Sequence, residues 1–216
     1  MGRGSVMEVF ADRTQAGELL AERLTGAHDP VVLALPRGGV EVAVPIARRL
    51  GAELDVLVVR KIGYPPMPEL GVGALAEGGE PVFDLDLLHR LGLTPESVGR
   101  VVRREREELA RRVEAYRGGR PLPGLSGREV IVVDDGLATG GTARAALRAV
   151  RAAGPARVTL AVPVGAPETV EALRAEADEV VALKTPAGFR AVGQWYERFD
   201  QLSDEDVLEM LGRSRW

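Results

Sequence analysis

The sequence predicts an α/β fold built on a central, mostly parallel sheet, and three features support this prediction. Short apolar runs alternate along the chain with longer segments of helical periodicity, which is the pattern of strand–helix–strand units. Most of these apolar runs are continuous, as expected for strands buried on both faces. The chain has 216 residues and no cysteine, which suits one domain with its own core and without disulfides.

The predicted elements of the first half follow from hydrophobic periodicity and from turn residues at their ends. In order they are a helix from its cap Asp12 to about Leu24, a strand at 31–35, a helix at 40–50 ending at Gly51, and a strand at 55–61. This strand–helix–strand unit predicts parallel pairing with a right-handed crossover. Residues 62–81, rich in Gly and Pro, are expected to form a mobile loop with a short strand at 71–75.

The second half opens with a long helix expected at 94–117, with Thr94 as its cap and Pro95 at its first position. One face carries a narrow apolar stripe and the other carries balanced Arg and Glu, so we expect it to pack on its own domain or on a partner subunit. The remaining predicted elements are strand 129–134, helix 140–153, strand 156–163, helix 167–176, strand 179–183 and a last helix capped by Asp204.

Composition excludes several classes of function. The formal charge of −4 gives no broad electrostatic case for a nucleic-acid partner. No apolar run approaches the roughly 18 residues of a membrane span, and no secretory segment opens the chain, so a cytoplasmic location is expected. The two histidines, His28 and His89, stand apart from each other, which argues against a histidine-rich metal site.

One segment carries most of the chemistry, namely residues 130–142 (VIVVDDGLATGGT). Four apolar residues form a buried strand, and Asp134 and Asp135 emerge at its carboxyl end, where open α/β sheets bind ligands. The small residues that follow let the backbone fold around an anion at the start of the next helix. Adjacent carboxylates can accept hydrogen bonds from two vicinal hydroxyls, so the segment suits a phosphorylated sugar.

A structural turn with two surface aspartates is the plainer interpretation of such a segment, but the full pattern of thirteen residues is more specific. It lacks the lysine of a P-loop, and its glycines do not fit GxGxxG. The segment resembles the signature of the type I phosphoribosyltransferase family. This resemblance implies an α/β core with a central, mostly parallel sheet flanked by helices, a small hood for the acceptor, a flexible loop over the active site, and magnesium that carries the pyrophosphate.

On this resemblance, residues 1–216 form a single domain. Its core is expected at about 10–62 and 125–185, an insertion with the loop and the long helix at about 63–120, and the hood at about 184–216. Asp134 and Asp135 are implied to hold the ribose hydroxyls and the metal, and with Arg37 and Lys61 they are the candidate catalytic residues. The implied substrate-binding residues are Arg37, Gly38, Gly39, Arg60, Lys61, Asp134, Asp135, Gly136, Ala138, Thr139, Gly140, Gly141, Thr142, Lys184 and Phe189.

Two further segments support the donor site. Residues 35–39 (LPRGG) look like the pyrophosphate loop of the family, in which a cis peptide bond is expected between Pro36 and Arg37; an ordinary turn is the alternative. Arg60 and Lys61 resemble the Arg-Lys pair that precedes the flexible loop in adenine and orotate members. Those members usually carry another basic residue a few positions on, where this chain has Tyr64 and prolines, so loop closure is left open. Glu69 and Glu77 are weaker candidates for polar contacts.

The acceptor is less well specified. By resemblance, Phe189 is a candidate to stack on a nucleobase and Lys184 to contact its exocyclic groups, whereas Trp195 and Tyr196 are expected to be hydrophobic packing. Hypoxanthine-guanine members carry an aspartate as general base where this chain has Ala138, which argues against a 6-oxopurine.

The predicted function is transfer of phosphoribosyl from 5-phosphoribosyl 1-pyrophosphate to a nitrogen nucleophile, a nucleobase by resemblance, with Mg2+ as cofactor. Two alternatives stay open: a regulator that binds the donor without turnover, and a hydrolase of a phosphosugar. Because many relatives are dimers, a homodimer through the apolar stripe of helix 94–117 is also an expectation.

Overall fold

The structure is a computed structural model that describes residues 9–213. Its strands are β1 (Val31–Ala34), β2 (Glu53–Val56), β3 (Val59–Tyr64), β4 (Met67–Ala76), β5 (Val82–Phe83), β6 (Glu129–Val133), β7 (Arg157–Val164) and β8 (Glu179–Lys184). Its α-helices are α1 (Arg13–Ala21), α2 (Gly38–Leu50), α3 (Leu85–Arg90), α4 (Gly99–Arg117), α5 (Gly141–Ala152), α6 (Pro167–Leu173) and α7 (Asp204–Arg213). Short 3-10 helices span Glu96–Val98 and Val192–Trp195.

The central sheet is parallel throughout, in the order β2-β1-β6-β7-β8. All four residues of β1 are buried, as are residues 130–133 of β6, because helices cover both faces of the sheet. The predicted α/β architecture is therefore confirmed. The register aligns Ala34 with Val133, so the turns that follow β1 and β6 leave the same edge of the sheet side by side.

The predicted strand at 55–61 is wrong, because the chain changes sheets within it. β2 ends at Val56 in the parallel sheet, and β3 begins at Val59 in a second, antiparallel sheet of order β3-β4-β5. The buried residues Leu57 and Val58 join the two strands. A continuous apolar run signals burial but does not signal a change of sheet.

The second sheet also replaces most of the loop expected at 62–81, since β4 is ten residues long. The glycines of this segment allow close approach of backbones. A Cβ atom on Gly63 would lie 2.4 Å from the carbonyl oxygen of Pro68, and one on Gly73 would lie 2.5 Å from that of Val82. The pairing of β3 with β4 shifts register on either side of Gly63. Glycine here indicates tightly paired strands with bulges and not a flexible loop.

The apolar stripe of the predicted helix 94–117 lies against the chain's own core. Val98, Leu109 and Tyr116 are buried, and Val102 and Val113 pack partly buried against the same cluster. The stripe is therefore covered and is not the dimer surface that the sequence suggested. The helix proper begins at Gly99, after a 3-10 turn at Glu96–Val98.

The helix ends follow local side-chain hydrogen bonds. Asp12 accepts a hydrogen bond from the Gln15 N–H at the start of α1, as predicted. The predicted cap Asp204 is instead the first residue of α7, and the Ser203 hydroxyl accepts from the Asp206 N–H. Within residues 9–213, no helix has the length and apolar character needed to cross a membrane.

Candidate active site

The two acids of the signature segment lie at the carboxyl end of β6, next to the turn that follows β1. The Asp134 carboxylate accepts a hydrogen bond of 2.8 Å from the Asp135 N–H. The turn after β1 joins this edge through a 2.8 Å bond from the Leu35 N–H to the Val133 carbonyl. The pyrophosphate-loop candidate and the acids are thus neighbours, as the sequence predicted.

Two glycines allow this close packing. A Cβ atom on Gly38 would lie 2.0 Å from Oδ2 of Asp135, and one on Gly39 would lie 2.6 Å from the Val133 carbonyl oxygen. Real Cβ atoms do not approach other atoms so closely, so both positions require glycine. The peptide bond between Pro36 and Arg37 is cis, as the family resemblance implied.

The two carboxyl groups are electrostatically strained in this position. Burial raises the pKa of Asp134 well above its ordinary value, and the neighbouring Asp135 charge raises it further. Burial also raises the pKa of Asp135, while the Arg13 guanidinium opposes that rise. A ligand that supplies hydroxyl donors or a cation would stabilise the ionised pair.

The residues at 138–142, called the phosphate cradle below, form an open site for an anion. Gly140 has a left-handed conformation (φ 77°) and immediately precedes α5. The Thr169 hydroxyl donates to the Ala138 carbonyl at 2.6 Å and fixes the outer side of the turn. Within the described residues, the backbone N–H groups of Thr139 and Thr142 donate to no backbone carbonyl outside the helix. With the dipole of α5, these groups suit a phosphate.

A groove of about 440 Å³ lies between this cradle and the antiparallel sheet. Lys61, Phe83, Thr139 and Thr142 are among the residues that line it. Nζ of Lys61 donates to the Glu69 carbonyl oxygen at 3.0 Å and lies 3.9 Å from the Glu69 carboxylate. The structure thus brings Lys61 to the same groove as the phosphate cradle.

Arg60 points to the opposite face of β3 from Lys61, because successive side chains of a strand alternate between faces. Its Nε and Nη2 atoms lie 2.9 Å and 2.8 Å from the buried carboxylate of Glu105 on α4. Glu77, another candidate from the sequence, pairs with the buried guanidinium of Arg117. Arg60 and Glu77 therefore hold α4 to the antiparallel sheet, and the structure engages neither in the groove of the phosphate cradle.

Arg37 extends from the turn at residues 35–39, called the cis turn below, to the C-terminal segment. Its Nη1 donates to the Leu202 carbonyl oxygen at 2.8 Å, and its Nε lies 3.4 Å from the Asp204 carboxylate. The Tyr116 hydroxyl donates to the same carboxylate at 2.5 Å. Arg37 is partly exposed, but in this conformation its guanidinium is engaged by the chain itself.

The candidates for acceptor binding lie with the aromatic C-terminal segment. Nζ of Lys184 lies 4.3 Å from the centre of the Phe10 ring, and Phe189 packs, half-buried, against the aromatic cluster that includes Phe10 and Trp195. Trp195 and Tyr196 are buried, which confirms the packing role predicted for them. This segment reaches the donor site at Gly136, whose Cβ would lie 2.6 Å from the Val192 side chain.

The structure also reveals a residue that sequence reasoning missed. Nε of Arg13, at the start of α1, donates to Oδ2 of Asp135 at 2.9 Å, and the arginine is 6% exposed. The two residues are 122 positions apart, and no local motif marks Arg13, so no signal in the sequence could have found it.

The two acids fit a metal only in a particular way. Among the described residues, no group of three or more His, Cys, Asp or Glu side chains is placed to hold an ion. Mg2+ often binds proteins through one or two carboxylates together with substrate phosphates. Asp134 and Asp135 suit that arrangement and do not suit a metal cage made by protein alone.

Comparison with known proteins identifies the family of this chain. The profile of the "Phosphoribosyl transferase domain" family matches residues 13–193. A Mycobacterium tuberculosis protein whose name assigns it provisionally as a phosphoribosyl transferase is 48% identical over 210 residues, which are 96% of this chain and 47% of that protein. The chain thus spans about half the length of the curated relatives it matches.

Solved structures show the same fold. The crystal structure of TT1426 from Thermus thermophilus is 50% identical with a TM-score of 0.80, and the match covers 94% of this chain and 97% of that one. The AQ2163 protein from Aquifex aeolicus shares the fold at 15% identity and a TM-score of 0.50, over 79% of this chain and 73% of that one. The family match covers most of the sequence and includes the acids, the cis turn and the phosphate cradle, so the chain belongs to the phosphoribosyl transferase domain family.

Proposed function

We propose that this chain binds 5-phosphoribosyl 1-pyrophosphate and transfers its phosphoribosyl group to a nitrogen nucleophile, releasing pyrophosphate. The observation that carries the proposal is the packing of Gly38 directly on the Asp135 carboxylate. This contact places Asp135, which would bind a sugar hydroxyl, beside the turn at residues 35–39, whose Arg37 suits pyrophosphate. The phosphate cradle after Gly136 supplies the third requirement of such a donor.

Each part of the donor has a partner in this arrangement. The 5-phosphate would accept hydrogen bonds from N–H groups of the cradle and from the hydroxyls of Thr139 and Thr142. The ribose hydroxyls would donate to Asp134 and Asp135. Pyrophosphate would lie over the cis turn, where Arg37 offers a planar fork of donors and Lys61 a point charge across the groove.

The reaction forms a bond from the acceptor nitrogen to carbon 1 of the ribose and breaks the bond from carbon 1 to the pyrophosphate oxygen. Pyrophosphate leaves with the bonding electrons, and the proton lost by the acceptor nitrogen passes to solvent. The protein contributes positioning and charge stabilisation. Arg37 and Lys61 would stabilise the leaving group, and Asp134 and Asp135 the positive charge that develops on the ribose.

We include magnesium in the proposal, because pyrophosphate carries more negative charge than the two cations Arg37 and Lys61 neutralise. When bound, Mg2+ would supply further charge neutralisation on the leaving group. Asp134 and Asp135 are the residues that would hold it, together with oxygens of the donor.

A nucleobase is the acceptor class that we propose, on the resemblance of residues 184–196 to the base-binding end of the family. Phe189 and Lys184 are the candidate contacts. Ala138 cannot act as a general base, and its carbonyl accepts from Thr169, so a 6-oxopurine is the least favoured base. A cytoplasmic location and a homodimer stay predictions from the sequence.

Calorimetry of donor binding in the presence of Mg2+ tests the proposal. The wild-type chain is expected to bind, and a double variant with Asp134→Asn and Asp135→Asn is expected to lose binding. Unchanged affinity in the double variant would overturn the proposed site. Pyrophosphate release measured with adenine, uracil, orotate, guanine and xanthine would then identify the acceptor.

A regulator that binds the donor without turnover is the second candidate. Arg37 contacts Leu202 and Asp204 in this structure. It would have to give up these contacts to bind pyrophosphate, and this competition favours the second candidate. Donor binding without pyrophosphate release, across the whole panel of bases, would select this candidate.

A further inference from the structure

Asp135 is surrounded by a set of residues that lie outside every motif of the donor site. Arg13 contacts its carboxylate at 2.9 Å, and the Tyr196 hydroxyl donates to its backbone carbonyl at 2.6 Å. The Phe199 ring links these two partners, with its centroid 5.1 Å from that of Tyr196 and 4.0 Å from the Arg13 guanidinium carbon. We call Arg13, Tyr196 and Phe199 the Asp135 clamp.

Arg13 is held in one orientation by several contacts at once. Its Nη1 donates to the Asp200 carbonyl oxygen at 2.8 Å and lies 3.7 Å from the Glu41 carboxylate. The stack on Phe199 requires a planar cation, and the separate bonds from Nε and Nη1 require a fork of donors. Arginine meets both requirements and lysine meets neither.

Tyr196 fixes the backbone of the same acid. Its ring is buried, and its hydroxyl donates to the Asp135 backbone carbonyl at 2.6 Å. Gly38 packs against the same carboxylate oxygen that Arg13 contacts. Side chain and backbone of Asp135 are therefore both restrained before any ligand arrives.

We propose that Arg13 and Tyr196 are positioning residues that preorganise Asp135 to receive a ribose hydroxyl. This inference rests on the proposed function of the site. A carboxylate that is already oriented loses less conformational freedom when it binds, and affinity depends on how well the supporting residues hold it. Arg13 also adjoins the turn at residues 35–39, since a Cβ atom on Gly38 would lie 2.9 Å from its Nε, so loss of the clamp should weaken the ribose-bearing donor more than pyrophosphate alone.

The test compares two ligands across matched variants of the full chain. Arg13→Met, Arg13→Lys and Tyr196→Phe are measured against the controls Arg23→Met, an exposed arginine just beyond α1, and Tyr64→Phe, a tyrosine on β3. Calorimetry gives the affinity of each variant for 5-phosphoribosyl 1-pyrophosphate with Mg2+ and for pyrophosphate with Mg2+. Thermal melting reports on folding.

Arg13→Met is expected to weaken donor binding by about tenfold or more, equivalent to about 1.4 kcal/mol, with a smaller loss of pyrophosphate affinity. Arg13→Lys should recover only part of this loss, Tyr196→Phe should show a smaller loss of the same kind, and both controls should match the wild type. If donor and pyrophosphate affinities fall by the same factor in Tyr196→Phe and in Arg13→Met, the role is structural and the inference is overturned.

The wild-type result separates this inference from the proposed function. A wild-type chain that does not bind the donor would overturn both. A wild-type chain that binds it, with variants that bind equally well, would overturn the clamp alone and leave the proposed function standing.

Discussion

A Cβ atom placed on Gly38 would lie 2.0 Å from Oδ2 of Asp135, although the two residues are almost a hundred positions apart. Gly38→Ala must therefore displace the carboxylate or the cis turn. We expect donor affinity to fall by about tenfold or more and the free energy of unfolding to fall by about 1–3 kcal/mol, the usual cost of overpacking. Calorimetry and chemical denaturation measure the two effects.

Gly124→Ala is the matched control, because an added methyl group there would meet no atom within 4 Å. It should change neither quantity. If Gly38→Ala bound the donor as tightly as Gly124→Ala, the close contact between the turn and the acid would have no part in recognition.

The C-terminal segment competes with pyrophosphate for Arg37, and Asp204→Asn tests this competition. The substitution removes the charge 3.4 Å from Nε of Arg37 but keeps an acceptor for the Tyr116 hydroxyl. Exposed ion pairs contribute about 0.2–1 kcal/mol, so pyrophosphate affinity should rise by about 1.5- to 5-fold. Glu205→Gln removes a neighbouring exposed charge and should have a smaller effect. Weaker binding in Asp204→Asn would mean that Asp204 supports Arg37 and does not compete for it.

Local patterns in the sequence predicted the elements of the parallel sheet and the motifs at its edge. Continuous apolar runs marked β1, β6 and β7, and parallel pairing places the ends of adjacent strands together. This is why the turn at Pro36 and the acids at Asp134 were expected to meet, and they do.

The contacts that the sequence could not predict depend on tertiary packing. The apolar run at 56–59 shows no break in the sequence, yet it divides between two sheets, and Arg60 just after it turns towards Glu105. Arg13 reaches Asp135 only because α1 and the C-terminal segment pack on the same edge of the sheet. No periodicity in a single sequence encodes either arrangement.

The position of Arg60 leads to a prediction that separates it from its neighbour Lys61. Among the described residues, Arg60→Met leaves the buried Glu105 carboxylate with only the exposed Arg104 as a partner, so the free energy of unfolding should fall by about 1–3 kcal/mol. Arg104→Met, which removes that mostly exposed partner, should cost less than about 1 kcal/mol. Chemical denaturation measures both changes.

Donor binding gives the complementary readout for this pair. Lys61→Met should weaken it, since Lys61 lines the groove of the phosphate cradle, whereas Arg60→Met should leave it within about twofold of the wild type. A large loss of affinity in Arg60→Met with unchanged stability would instead place Arg60 among the ligand-binding residues.

The buried Asp134 carboxyl group is expected to make the stability of the fold depend on pH. Burial beside Asp135 raises the pKa of Asp134 above its ordinary value of 3.8, so the folded state holds the proton more tightly than the unfolded chain does. The contribution of Asp134 to the free energy of unfolding therefore falls as the pH rises from about 3.8 to the raised pKa. Above that range the folded state carries an unfavourable buried charge.

Asp134→Asn removes the charge and keeps an oxygen that can accept from the Asp135 N–H. We expect a higher Tm than the wild type at pH 7 and a smaller difference at pH 4, together with weaker donor binding. Asp86→Asn, at an exposed position of α3, should show no comparable gain. Melting curves between pH 4 and pH 8 measure the trend. A lower Tm for Asp134→Asn at pH 7 would show that ionised Asp134 stabilises the fold, because the hydrogen bonds and Arg13 would then outweigh its burial.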